Sequence, residues 1–314
     1  MTLLPCLATG LFPSLGLFTS ILWGYGLVLS GMHISRRSVY LFFCLNVMAL
    51  YLVFGVSALP LFYTLAVGVP SMFMGMMAAD RKEYDLTLRT ALLTGTGGTI
   101  LFLGFMYQAM QRITGTGWDG IKERFSELSG SVLQQLLQSG TFDRYLGGMT
   151  PGEIIAQYDK IMDVILNLSP AFFFIQMLIA VYFVLIFSSM YAQRIGVGYL
   201  TKKPLSEEQM PWKLNWLLIL GLALALWDYG TGSLLFYAGV NLMCIMAPIG
   251  FYYGCGVLSG KYRALPPQKQ RLALGGFFLL CIFLAEILMI FITLRGIFDA
   301  VVDYRKLNAA KRLP

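Results

Sequence analysis

Charge is scarce in this chain. Asp, Glu, Lys and Arg make up 12% of its 314 residues, about half the share of an ordinary soluble domain. Histidine is scarcer still: His33 stands alone, beside Arg36 and Arg37, and reads as an interfacial loop residue. A Ser–His–Asp hydrolase needs a histidine against its nucleophile, and a zinc protease needs two on one helix face, so both are poor readings. The five cysteines, Cys6, Cys44, Cys244, Cys255 and Cys281, lie within or at the edges of apolar runs. Without CxxC or Cys/His ligand spacing they argue against metal, haem and disulfide roles, and each is read as a small buried hydrophobe. No paired carboxylates and no nucleophile–base pair stand out. The GxxxxGK[ST] loop is also missing, and the Gly-rich run Thr94–Thr99 sits inside an apolar helix rather than at a phosphate cradle. The chain is therefore expected to be no enzyme, to hold no cofactor or metal, and to depend on a separate chain for any ATP-driven step. Its opening residues, MTLLPCLATG, lack a basic n-region, so no cleavable signal peptide is expected.

Apolar residues are what the chain has in abundance: 57% of the total, with a mean hydropathy of +0.70. They fall in continuous runs of spanning length, not in the short alternating segments of a transmembrane barrel. The reading is an all-α, polytopic transmembrane helical bundle of eight or nine membrane segments, with an amphipathic-helical polar insertion. The first pass, from Thr2 to near Pro13, is shorter than a span, so it is either re-entrant or preceded by further chain. Spans follow at Leu17–Met32, Tyr40–Val56, Leu59–Ala79 and Ala91–Met110. After the insertion come Pro170–Tyr191, Leu214–Trp227, Ser233–Val257 and Leu272–Thr293. The fourth span carries Pro60 and Pro70 and is thinned by Gly68 and Gly75. A backbone broken in this way is tolerated in a membrane only where protein surrounds it, so this arm is expected to face protein. Small residues in the fifth span predict close helix approach.

The insertion, 111–168, holds two amphipathic helices. Trp118, Ile121, Phe125, Leu128, Val132 and Leu136 mark one, and Ile154, Ile155, Tyr158, Ile161, Met162 and Ile165 the other. The second opens on Thr150-Pro151-Gly152-Glu153, a capped helix start. The chain thus divides into an N-terminal membrane half (1–110), the insertion (111–168), a C-terminal membrane half (169–296) and a basic tail (297–314). The net charge of +7 is no nucleic-acid signature, because the bases cluster in short loops. Loops at Arg36, Arg81, Lys202 and Lys261 share one face, which the positive-inside rule makes cytoplasmic. The insertion, with five bases against seven acids, falls outside. The tail with Arg295, Arg305, Lys306, Lys311 and Arg312 disagrees, since nine passes would put it outside as well.

Three side chains are candidates for a polar, ligand-binding pocket. Glu286 is read as lying near the middle of Leu272–Thr293, where a charge costs roughly 2.5–3.5 kcal/mol on insertion scales and so should face the bundle interior. Asn241 and Asn46 lie mid-span in other helices. Gln176, Ser188, Ser189 and Tyr191 are weaker candidates. Each of these also has a plain structural reading as a single interhelical hydrogen bond.

Three stretches carry a resemblance: PSLGLFTSILWGYGLVLSGMHISRRS (Pro13–Ser38), GVSALPLFYTLAVGVPSMFMGMMAADRKE (Gly55–Glu83) and GIFDAVVDYRKL (Gly296–Leu307). Together the chain resembles the YybS-like family of bacterial integral membrane proteins, whose domain has no known function. That family is distantly similar to the substrate-binding membrane subunits of energy-coupling factor vitamin transporters. The resemblance implies a multi-pass protein of the bacterial inner membrane that binds a small molecule and works with other membrane subunits. Two departures stand out: the first span is short, and Gly26 replaces a proline expected before the basic loop. The expected function is a transport-related small-molecule-binding component without its own ATPase. The alternative is a membrane scaffold that recruits partners through its amphipathic helices. Its partners are the lipid bilayer, a small molecule and other subunits, with no nucleic acid. The orientation is directly testable. In a cysteine-free background, a cysteine at position 140 should react with an impermeant thiol reagent from outside, and one at position 203 only after permeabilisation. The reverse pattern would overturn the topology.

Overall fold

The structure is a computed structural model that describes residues 2–305, apart from 118, 121, 125, 128–129, 132–134, 136–150, 228 and 230–232. Every regular element among the described residues is helical, and the chain divides into two compact units, Met1–Thr201 and Lys202–Pro314.

The first unit begins with α1 (Leu3–Leu11), whose nine residues reach about 13 Å, too short to span. Pro13 opens a 3-10 turn, Pro13–Leu15, and the chain turns into α2 (Gly16–His33) and α3 (Arg36–Phe54). Ser35 caps α3 by accepting from the Ser38 N–H. The fourth span is composite: α4 (Ala58–Tyr63), a π-helical turn (Thr64–Gly68) and α5 (Val69–Ala79). Pro70 has no N–H to give the Ala66 carbonyl, and the chain widens just before it, with the Val69 N–H bonding to Thr64 five residues back. This span is the most enclosed of the spanning helices, with 61% of its apolar window buried against 17–44% for the others. It faces protein, as its prolines and glycines predict.

Close approach does the enclosing. A Cβ on Gly31 would overlap the Gly75 carbonyl, and one on Gly98 would overlap the Leu65 carbonyl of the π turn. The glycine run of α6 (Tyr84–Thr114) therefore serves helix contact. Phe62, Phe102 and Phe173 interlock with ring centroids 5.0–5.2 Å apart at the centre of this core.

The described residues of 119–135 are helical. The apolar residues that mark the first amphipathic helix lie outside the described residues. The second amphipathic helix and the following span are one helix, α7 (Pro151–Arg194), of 44 residues and about 66 Å. The expected boundary near Pro170 does not exist. Pro170 frees the Leu166 carbonyl, and the Ser169 hydroxyl donates to it at 2.7 Å, so the helix continues. Ile154, Ile155, Tyr158 and Met162 are half-buried, while Ile161 and Ile165 stay exposed.

The second unit holds α8 (Asn215–Trp227), α9 (Leu234–Arg263), α10 (Pro267–Phe283) and α11 (Ala285–Val302). Small residues again set the contacts. Gly250-x-x-x-Gly254 on α9 meets Gly296 on α11, where added Cβ atoms would overlap the Gly250 and Ile292 carbonyls. α10 buries none of its residues. Its Leu272, Phe278, Ile282 and Phe283 form the kind of surface that lipid covers. The chain bends by 118° between α10 and α11. Arg263, at the end of α9, and Arg305, just past α11, both bond to Ser206. α10 and α11 therefore run out and back, and the chain after α11 returns to the end where Lys261 and Arg263 lie. Arg305 therefore falls at the same end of the second unit as Arg263, which a single continuous pass over 272–293 would not allow.

Among the described residues six helices are long and apolar enough to cross a membrane, or seven if α10 and α11 form one broken span. The expected eight or nine are not reached, because α1 and α8 are too short. Packing across the Gly contacts is checkable by thermal denaturation of the full-length protein in detergent. Gly296→Leu should cost about 1–3 kcal/mol through overpacking, whereas Gly97→Leu, with open space around it, should leave the melting temperature near that of the parent.

Candidate functional site

Two of the buried polar residues of the first unit, Thr64 and Ser71, stand on the composite span, and others lie on the helices beside it. Trp23 of α2 is fully buried and stacks on Phe43 of α3, centroids 6.2 Å apart. Gly68, at the end of the π turn, lets the same indole lie against the span, since a Cβ there would stand 2.5 Å from its ring. One turn beyond Phe43, Asn46 is 2% exposed, and its backbone carbonyl accepts from the Cys6 thiol at 3.5 Å. Ser71 is fully buried beside Gly24, and Thr64 opens the π turn. Four of these buried polar atoms, Trp23 Nε1, Asn46 Nδ2, Thr64 Oγ1 and Ser71 Oγ, have no hydrogen-bond partner among the described residues. Each such group costs about 1–3 kcal/mol of desolvation. Within a span a π turn is also a place where backbone geometry departs from the ladder, a feature that recurs at functional sites. The donor set is neutral: an indole N–H, an amide and two hydroxyls. It suits an uncharged polar ligand group and offers nothing to a metal.

The other expected residues fall elsewhere. Asn241 lies on α9 of the second unit, half-buried, and donates to the Tyr237 carbonyl of its own helix at 2.8 Å. Glu286 is not near the middle of a continuous span. The apolar run 272–293 breaks at Leu284, so Glu286 occupies the first turn of α11, exposed at the bend. A carboxylate there is favoured by the helix N-terminus, a simpler reason for its presence than an interior pocket. Asn46 belongs to the first unit. Ser188 is buried and donates to the Val184 carbonyl at 2.7 Å, Ser189 is buried and Gln176 half-buried. Tyr191 has a specific partner, the ring of His33, whose Nε2 lies 2.8 Å from the phenol oxygen.

Sequence reasoning passed over the strongest charged cluster. Asp299 is fully buried on α11, and Arg305 reaches back to its Oδ2 at 2.7 Å with 5% of its side chain exposed. The same guanidinium donates to the carbonyls of Leu205, Ser206 and Glu208, and Gln209 donates to the Asp299 carbonyl at 3.0 Å. Glu208 in turn accepts from Tyr252 and pairs with Lys202 at 3.4 Å. The signal was an acid inside the apolar stretch GIFDAVV, which demands a cation. This cluster spends its donors on backbone carbonyls, so it fastens the end of α11 to the 205–209 segment.

Among the described residues no group of His, Cys, Asp or Glu is placed to hold a metal ion. A family model described as "Predicted membrane protein (DUF2232)" matches residues 1–300. No curated protein and no solved structure matches the chain. The fastening role of Arg305 gives an ordered expectation. Arg305→Met should cost about 3–5 kcal/mol, because it strands a buried carboxylate. Asp299→Asn should cost less, because the amide still accepts from the guanidinium. Thermal melts of both variants in detergent check the order.

Proposed function

We propose, from the premise that the chain belongs to the family of predicted membrane proteins (DUF2232), that it is a small-molecule-binding component of a bacterial inner-membrane transport system. Its ATPase, where one is used, is a separate chain. The observation that carries the reading is the set of unpartnered polar atoms around the π turn. A broken span near the middle of a bundle, with polar groups turned inward, is the arrangement by which many membrane transporters hold substrate. The resemblance to YybS-like proteins, and through them to the substrate-binding subunits of energy-coupling factor transporters, supports the same reading. Asn46 is the expected site residue that this reading retains as a ligand contact, joined by Trp23, Thr64 and Ser71.

A second reading, a scaffold, draws on α7 and the described residues of 119–135, joined by the Lys122–Asp163 ion pair at 3.1 Å. On that reading the partner is a protein recruited outside the membrane, and no metabolite stabilises the protein.

Ligand-induced thermal shift against a panel of vitamins and neutral metabolites separates the two. A ligand at about 100 times its Kd adds roughly 2.7 kcal/mol to stability. Ser71→Ala removes a buried hydroxyl that lacks a partner, so its melting temperature without ligand should equal or exceed the parent's. Asn46→Leu and Ser71→Ala should both reduce the ligand-induced shift. A panel that shifts nothing, or a shift that survives both substitutions, would remove the interior site.

A further inference from the structure

A cavity elsewhere in the first unit is independent of that interior site. About 510 Å³ in volume, it opens at the end of the first unit where the α2–α3 turn, the α5–α6 turn and the chain after α7 converge. The three segments are held together there. Arg36 pairs with Asp80 at 3.2 Å, His33 bonds to Tyr191, and the Tyr84 N–H donates to the Tyr199 carbonyl. Charged and polar lining comes from His33, Ser35, Arg36, Asp80, Arg81 and Tyr199. Two guanidinium groups thus face one carboxylate.

The arginines are not fully spent. Asp80 engages Arg36 through Nη1, and the Arg36 side chain remains 60% exposed. Arg81 sits at φ 53°, a left-handed conformation a non-glycine residue adopts at some cost. Arg81 and Tyr199 line the cavity together; burial raises the Tyr199 phenol above its ordinary pKa, and the Arg81 charge works in the opposite direction. Ser35 and Arg36, at the start of the 19-residue helix α3, line the cavity, and the first N–H groups of a helix have no acceptor within it. Forked guanidinium donors, free backbone N–H groups and a helix N-terminus together form the donor set that phosphate oxygens take.

We propose that this cavity binds a phosphate-bearing anion, either a phospholipid headgroup or free phosphate. The volume accommodates a phosphodiester with its neighbouring glycerol. The position, at the end of the spanning helices of the first unit, is where headgroups lie. Asp80 opposes the anion and limits affinity while it orients Arg36.

The test uses the full-length protein in nanodiscs. Retention of phosphatidylglycerol against phosphatidylcholine is read by native mass spectrometry, and inorganic phosphate is titrated calorimetrically into phosphatidylcholine discs. Arg81→Gly is the informative variant, since glycine suits φ 53° and the fold should be kept or gain in melting temperature. It should weaken binding about tenfold, Arg36→Gln should do likewise, and Asp80→Asn should tighten it. Phosphatidylglycerol retention without a phosphate response assigns the site to the lipid. A phosphate response without lipid preference assigns it to the free ion. Parental binding of both probes by Arg81→Gly and Arg36→Gln overturns the proposal, as does binding of neither probe by the parent.

Discussion

A carbonyl that loses its helical partner inside a bilayer has no water to turn to, and much of this structure answers that constraint. Pro170 removes one N–H from α7, and the adjacent Ser169 hydroxyl takes the Leu166 carbonyl in its place. Pro70 removes another, and there the chain answers with a widened turn closed by Val69 on Thr64. The two solutions have different consequences. Ser169 lets one helix run unbroken for 44 residues. The π turn makes a local irregularity that lipid cannot accommodate, so neighbours must cover it, and glycines at 98, 31 and 75 bring those neighbours close enough.

In the second unit the same constraint applies to charge. Asp299 is buried completely, and a lone carboxylate there would be untenable. Arg305 satisfies it only because the chain turns sharply after Val302, with Asp303 in the left-handed region at φ 48°. The guanidinium then has donors left for three carbonyls of the 205–208 segment. One ion pair thereby fixes where the chain emerges after α11. The topology follows from it: α10 and α11 form an out-and-back pair, and the bases at 261–263 and at 305 lie at one end.

What the sequence made legible depended on the range of the interaction. Run lengths and the prolines of the fourth span were enough to predict an all-helical membrane protein and a protein-facing broken arm, because hydropathy and missing N–H groups act locally. Of the glycines at 94–99, Gly95 and Gly98 are contact residues as expected, while Gly97 faces open space. Three features were hidden from run lengths and residue types. The break at Leu284 carries neither proline nor glycine, so 272–293 looked like one span and Glu286 like its centre. Pro170 looked like a boundary because the compensation by Ser169 depends on a rotamer. Arg305, the partner of Asp299, lies past the end of α11 and looked like part of a basic tail. The interior site was visible only through Asn46. Trp23, Thr64 and Ser71 are ordinary residues of apolar helices until packing shows that their polar atoms are buried without partners.

That last observation bears on function through stability. The most enclosed span of the chain could be filled with alanine and leucine at lower cost, since an apolar side chain of similar size carries no unmet hydrogen bond. Instead Ser71 and Thr64 stand on it, Asn46 faces inward from the neighbouring helix, and Trp23 buries its N–H beside them. A structural role for these groups would show as bonds like those of Ser188 or Thr99, each donating to a carbonyl one turn back. These four lack such bonds, although Thr19, Ser20 and Ser30 of α2 each donate to a carbonyl of their own helix. Local departures from the rules that otherwise hold throughout a fold are where function most often accounts for the cost. Buried polar atoms without a bond also occur at Asn167, Asn215, Arg295 and Asp299, but Thr64 and Ser71 stand on the span that carries the one π turn among the described helices, and that is why the interior of the first unit, more than the exposed carboxylate at 286, is the place to seek a ligand.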